Sequence, residues 1–313
     1  MLAVARHLGL DPSAILDLSV SLNPFAPDVA RLVAPHLDSG ALARYPDDSA
    51  ARDALAGAMG IDPDCVVLTN GGSEAIALVA GVLSHGWAGE PEFSLYRRHL
   101  LALGPSGLDP SGPVFRSNPH NPTGLLAQPD ESADVWDEAF FPLATGLWTR
   151  GDAASRGAVV IGSLTKLFAC PGLRIGYVVA PDARLASVIS ERKPQWSVNS
   201  LAVEVLPELL DMADLPGWAR AVRRARRELA GLLDAHGLSP RRSDANWVLV
   251  GNAHGLRERL APRGVLVRDC AGFGLPGVAR VAVTDAAGME RLSAALRATE
   301  GAPEHDEQAG SDG

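Results

Sequence analysis

Lysine is almost missing from this chain. Its 313 residues include only two, Lys166 and Lys193, against 26 arginines. An arginine excess of this size is read as genome composition, so most arginines carry no functional inference. Cysteine is scarce as well. Cys65, Cys170 and Cys270 are widely spaced and odd in number, which excludes a disulfide framework and a zinc-ligand pattern and fits a reducing compartment. Positive charge is in deficit, with a formal net charge of -9 at pH 7, which argues against a nucleic-acid surface. There is no apolar run long enough to span a bilayer. No basic segment followed by an apolar stretch stands at the N-terminus. A cytoplasmic protein with no membrane and no nucleic-acid partner is the expectation. There is no internal repeat.

What remains is a hydrophobic content of 47%, ample for a large core in one big domain or two moderate ones. A short helical start leads to an expected strand over residues 15–20 and a Pro-rich turn at 23–27. An Ala-rich helix is expected over 49–60. The strand Val66-Val67-Leu68-Thr69 breaks at Asn70-Gly71-Gly72-Ser73, and a helix follows from Glu74, apolar nearly all round and hence buried. Residues 104–113 read as a loop. Strands are expected over 159–162 and 174–180, and a long helical stretch over 201–236, broken near Leu215-Pro216-Gly217. The arginines of its second half read as a solvated helix face. Beyond it, strands at 246–251, 265–268 and 278–284 alternate with helices, the last over 286–298. Residues 300–313 read as a disordered tail. Alternation of strand and helix through the chain implies an α/β architecture.

The rarity of lysine draws attention to Ser163-Leu164-Thr165-Lys166. A lysine amine is the side chain that forms Schiff bases with carbonyl cofactors. The apolar run 158–162 delivers Lys166 to a strand end. Ser163, Thr165 and Arg174 flank it with groups that suit a phosphate. A phosphorylated aldehyde held by lysine is pyridoxal 5'-phosphate. The turn at Asn70-Gly71-Gly72-Ser73 supplies a second phosphate-compatible feature, since glycine lets the backbone approach and a helix start favours anions. Ser117-Asn118-Pro119-His120-Asn121-Pro122-Thr123-Gly124 makes a rigid turn that can fix one amide side chain. Asp137, in Val135-Trp136-Asp137-Glu138-Ala139-Phe140, is a carboxylate near a strand end that could pair with a protonated pyridine nitrogen, although an Asp-Glu pair taken alone reads better as solvated surface charge.

Taken in order, these phrases resemble the fold-type I pyridoxal phosphate enzymes of the class I/II aminotransferase superfamily over roughly residues 10–298. The resemblance implies a mostly parallel central sheet with helices on both faces. It also implies a smaller α/β domain from both chain ends: residues 1–38 and 193–299, around a large domain of 39–192. By the same resemblance Lys166 binds the cofactor covalently and Asp137 keeps its ring nitrogen protonated. Asn121 donates to the phenolic oxygen, and Phe93 stacks on the ring. Gly72, Ser73, Ser163 and Arg174 hold the phosphate. Tyr45, in Arg44-Tyr45-Pro46-Asp47, resembles a tyrosine that reaches the cofactor phosphate from the neighbouring subunit, which implies a homodimer.

Several phrases are closer to threonine-phosphate decarboxylases, the enzymes that make aminopropanol phosphate for cobalamin, than to histidinol-phosphate aminotransferases. They are Asp137-Glu138-Ala139-Phe140, the run from Ser163-Leu164-Thr165-Lys166 to Arg174, Pro194-Gln195-Trp196-Ser197-Val198-Asn199, and Leu266-Val267-Arg268-Asp269-Cys270 with Arg280; Leu16-Asp17-Leu18-Ser19-Val20-Ser21-Leu22-Asn23-Pro24 resembles both families alike. A small phosphorylated amino acid or amine is the implied substrate. The resemblance puts its phosphate near Arg268 and its carboxylate near Arg280, with Asn23 as a further contact. Decarboxylation and transamination both remain open from sequence, as does cofactor binding without turnover. The chain departs from the family's pattern at Ser21 and His120, where asparagine is usual, and in starting without a His-Gly-Gly segment. The intervals from Phe93 to Asn121 and from Asn121 to Asp137 are short, which implies a trimmed large domain.

Overall fold

The computed structural model describes residues 2–37 and 40–300; the tail expected over 300–313 lies almost wholly outside them. Its centre is a five-stranded sheet in the order Val66–Thr69, Gly176–Val179, Val159–Ser163, Val135–Asp137, Phe115–Ser117. Four strands run one way. Gly176–Val179 alone is antiparallel to both of its neighbours, while the other two pairings are parallel.

Helices cover both faces, so the strands read as unbroken apolar runs rather than alternating ones. Side chains still alternate between the faces. Leu68, Trp136, Val160 and Tyr177 enter one core with Leu55, Phe168, Leu206 and Leu209. Val67, Val135, Ile161 and Val178 enter another, with Ile76, Tyr96, Leu100 and Ile189.

A second unit carries a four-stranded antiparallel sheet in the order Arg268–Asp269, Ala279–Ala282, Trp247–Gly251, Ser239–Pro240. Its own core joins Leu229, Leu233, Val248, Val250, Leu260, Val281 and Leu292. The helix Leu215–Ala235 belongs to both units. Leu215, Trp218 and Val222 pack with the large sheet, and Ala225, Leu229 and Leu233 pack with the small one. Helix Ser200–Asp211 buries Val205, Leu206 and Leu209 in the core of the large sheet. On packing, we place the division inside the helix Leu215–Ala235 rather than at residue 193.

Two local expectations change. The strand expected over 15–20 is only Leu16–Asp17, paired parallel with Val265–Leu266. It stops because the Asp17 carboxylate accepts the Ser19 backbone N–H at 3.0 Å and so turns the chain. The helix break expected near 215–217 is present but lies a few residues earlier, between the helices Ser200–Asp211 and Leu215–Ala235. Asp214 caps the Gly217 N–H at 2.9 Å, and Pro216 stands in the first turn, where its missing N–H costs nothing. Among the described residues no helix is long and apolar enough to cross a membrane.

Candidate active site

The parallel strands end together. Ser117 is in register with Asp137, and Ser163 and Thr69 both with Gly176. Open α/β sheets bind ligands beyond the carboxyl ends of their strands, and a cavity of about 300 Å³ lies there.

Lys166 lines this cavity from the four-residue helix Leu164–Leu167, which follows directly on strand Val159–Ser163. Burial holds its amine below the usual lysine range, and the cations of Arg280 and Arg174 push the same way against Asp137 and Asp17. A lysine with a lowered pKa has more of the free amine a nucleophile needs.

Asp137 ends its strand on the cavity wall. The Tyr96 hydroxyl donates to its Oδ2 at 2.8 Å, and the Ala139 N–H to its Oδ1 at 3.0 Å. Burial outweighs both donors and lifts the carboxyl to about 6. A cation in the cavity would reverse that shift, because an opposite charge favours the ionised form.

Asn121 and Arg280 form one unit. The Asn121 N–H donates to Ser117 Oγ at 2.7 Å, which fixes the turn. Its Oδ1 accepts from Arg280 Nη1 at 2.7 Å, so the amide nitrogen is the part of the side chain kept for another acceptor. Arg280 is buried over the Trp247 ring at 5.1 Å. Burial pulls it down to about 10, still cationic at neutral pH. Its Nε has no hydrogen-bond partner, and neither has the buried Oγ of Ser21, which also lines the cavity. Buried polar groups are rarely left unpaired, so two orphans at one cavity point to a polar ligand.

The opposite end is built for an anion. Helix Gly71–Leu83 starts here, with Gly72 and Ser73 on the wall beside Ser163 and Arg174. A Cβ on Gly71 would lie 2.8 Å from the Arg174 guanidinium, and Gly71 has φ of 76°. Only glycine satisfies both the close approach and that backbone angle. Phe93 lines the cavity too, edge-on to Tyr96 at 5.7 Å.

Ten of the expected site residues therefore share one wall: Lys166, Asp137, Asn121, Gly72, Ser73, Phe93, Ser163, Arg174, Arg268 and Arg280. Two do not. Asn23 is buried behind the lysine turn, where Nδ2 donates to the Leu167 carbonyl at 2.9 Å and Oδ1 accepts the Phe25 N–H at 3.0 Å. Its amide holds that turn, and the residue stands off the cavity wall on which a substrate contact was expected. Tyr45 is 76% exposed and stacks on Trp196 at 4.3 Å, outside the cavity of its own chain.

Sequence reasoning passed over Tyr96, although it follows Phe93 by three positions and so shares its helix face. It also missed Glu92, which accepts from the Ser117 N–H at 3.1 Å and from the Ser117 hydroxyl, and so stiffens the Asn121 turn. Ser19, Ile76, Phe140 and Phe273 also line the cavity; the fold brings Ser19, Ile76 and Phe273 there, whereas Phe140 follows Asp137 by three positions.

The sequence pattern of the family described as aminotransferase class I and II matches residues 107–296. Among curated relatives, histidinol-phosphate aminotransferase 2 of Pseudomonas aeruginosa is 30% identical, over 90% of this chain and 88% of the relative. Threonine-phosphate decarboxylase of Salmonella typhimurium is 31% identical, over 94% and 93%. That second alignment runs to 348 positions, more than this whole chain has, so the relative carries stretches without a counterpart here. Among solved structures, the threonine-phosphate decarboxylase of Porphyromonas gingivalis superposes with a TM-score of 0.78 at 22% identity, over 91% of this chain and 99% of that one. The histidinol-phosphate aminotransferase of Sinorhizobium meliloti, in complex with pyridoxal 5'-phosphate, gives 0.80 at 19%, over 95% and 93%. The chain belongs to the class I and II aminotransferase family, and it is a pyridoxal phosphate-dependent enzyme.

The residues present fit that cofactor. The cavity offers a lysine of lowered pKa, a carboxylate fixed by two donors, an amide held by its oxygen, and a glycine turn under an arginine.

Proposed function

We propose that this enzyme decarboxylates L-threonine O-3-phosphate, or a close phosphorylated amino acid, to the corresponding amine phosphate, and so serves cobalamin synthesis. Lys166 would hold the cofactor's aldehyde carbon, Asp137 its ring nitrogen and Asn121 its phenolic oxygen. Phe93 would cover the ring face, while Gly72, Ser73, Ser163 and Arg174 would hold the phosphate. Bound there, pyridoxal phosphate supplies an electron sink for the charge left on the substrate's Cα. The chain's own residues do the rest. Asp137, kept in place by Tyr96, holds a proton at the ring nitrogen. Arg280 would receive the carboxylate, and the Lys166 ammonium would donate the proton that replaces carbon dioxide at the reacting carbon.

The observation that carries this reading is the pair Arg268 and Arg280, directly opposite one another on neighbouring strands and both on the cavity wall. Two guanidinium forks suit a substrate with two anions, a phosphate and a carboxylate. Transamination of histidinol phosphate is the second reading, favoured by the names of most of the similar curated relatives. Carbon dioxide release from threonine phosphate without any keto acid supports the first. Keto-acid-dependent loss of the amino group from histidinol phosphate, with no carbon dioxide from threonine phosphate, replaces it with the second.

A further inference from the structure

A second recess of about 340 Å³ adjoins the lysine cavity. Ser19 and Arg268 line both spaces, so they form the partition between them. Val4, Arg257 and Gly272 stand on the far walls.

The charges around this partition do not balance. Arg268 and Arg280 are cross-strand partners, and like charges in that relation repel. Helix Leu256–Leu260 packs against strand Arg268–Asp269 and adds the exposed Arg257 as a third guanidinium. Among the described residues, no carboxylate makes an ion pair with Arg257 or with Arg268; the ion pairs lie elsewhere. The one acid in the recess, Asp269, accepts the Ala271 N–H at 2.8 Å and so serves its own turn. Arg268 leans on the Phe273 ring at 5.8 Å, which steadies the guanidinium without neutralising it. Arg257 and Arg268 both line the recess, and Arg280 lines only the lysine cavity beside it.

Resting on the function proposed above, we infer that this recess seats the phosphomonoester end of the substrate, and that Arg257 is a specificity-determining residue holding it together with Arg268. One guanidinium fork takes two oxygens of a phosphate and leaves a third oxygen and further charge to a second cation. Arg280 is committed to Asn121 on the other side of the partition and stays with the carboxylate.

The test uses the holoenzyme and paired substrates: threonine phosphate with threonine, and histidinol phosphate with histidinol. The readout is the ratio of kcat/KM between the phosphorylated and the plain member of whichever pair is turned over. Arg257→Gln lowers that ratio about tenfold, mainly through KM, the loss expected for one charge-assisted contact. It also weakens competitive inhibition by inorganic phosphate. Arg257→Lys, which keeps the charge but loses the fork, restores part of the ratio. An unchanged ratio and unchanged phosphate inhibition in Arg257→Gln overturn the inference while leaving the proposed function standing. If the unaltered enzyme shows no preference for the phosphorylated member, the proposed function fails and this inference falls with it.

Discussion

Tyr96 is the side chain that makes Asp137 useful. A carboxylate raised to about 6 by burial is a poor partner for a ring cation unless something holds it ionised and aimed. The Tyr96 hydroxyl, 2.8 Å from Oδ2, aims the carboxylate and offsets part of the burial, and the ring cation would do the rest. Tyr96→Phe should weaken cofactor binding about tenfold, since a hydrogen bond to a charged group contributes about 1.5–3 kcal/mol. Spectroscopic titration with pyridoxal phosphate checks this, and affinity equal to that of the unaltered protein would exclude the role. The same burial sets a pH dependence in protein freed of cofactor. Folding raises Asp137 from 3.8 to about 6 and Glu138 from 4.5 to about 7. Both groups hold protons more tightly folded than unfolded, so their contribution is complete below the unfolded values and is lost as pH rises through the folded ones. Denaturant unfolding should therefore show stability falling by about 6 kcal/mol at most between roughly pH 4 and pH 7 from these two groups together, and Asp137→Asn should remove about half of the fall. At this scale the motif residues were legible in the sequence, because Lys166, Asp137 and Asn121 sit in short phrases whose chemistry is local. Tyr96 and Glu92 were not, because their partners Asp137 and Ser117 lie 41 and 25 positions away.

Among the elements, the turn after Val66–Thr69 depends on the strand beside it. A Cβ on Gly176 would come within 2.6 Å of the Gly71 carbonyl carbon and 2.7 Å of the Gly72 nitrogen. Both are backbone atoms and cannot swing aside. Gly176→Ala should thus push the anion turn off the sheet, with a loss of about 1–3 kcal/mol in stability and a larger proportional loss of cofactor affinity. Thermal unfolding and cofactor titration on one variant read both effects; unchanged affinity would show that the turn is not the cofactor's seat. Strand Val66–Thr69 could be read from its apolar run and the glycines that end it. The reversed direction of Gly176–Val179 could not, since nothing in an apolar four-residue run records which neighbour it meets. The stretch after Leu16 misled for a related reason. Its alternation suits a strand, and only the Asp17 side chain, reaching Ser19, diverts it.

For the molecule as a whole, the two units are joined by a helix with a foot in each core, and the lysine cavity lies where they meet. Lys166 and Asp137 come from one side and Arg268 and Arg280 from the other. Tyr45 and Trp196 are large aromatic rings stacked on one another and left 76% and 52% exposed, an arrangement that suits a subunit contact better than open water. If Tyr45 reaches the neighbouring chain's cofactor phosphate, each site takes Lys166 from one subunit and Tyr45 from the other. Tyr45→Ala should then lower cofactor affinity although the residue is outside its own cavity, and Lys166→Ala should abolish covalent attachment. Mixed and refolded together in equal amounts, the two variants form hybrids in which one of two sites is whole. With random pairing, recovery should reach about a quarter of the unaltered activity, as a closed two-fold dimer requires. Sedimentation establishes the dimer and the mixing experiment establishes the crossing. A dimer without recovery would leave Tyr45 a surface ring that serves its own chain.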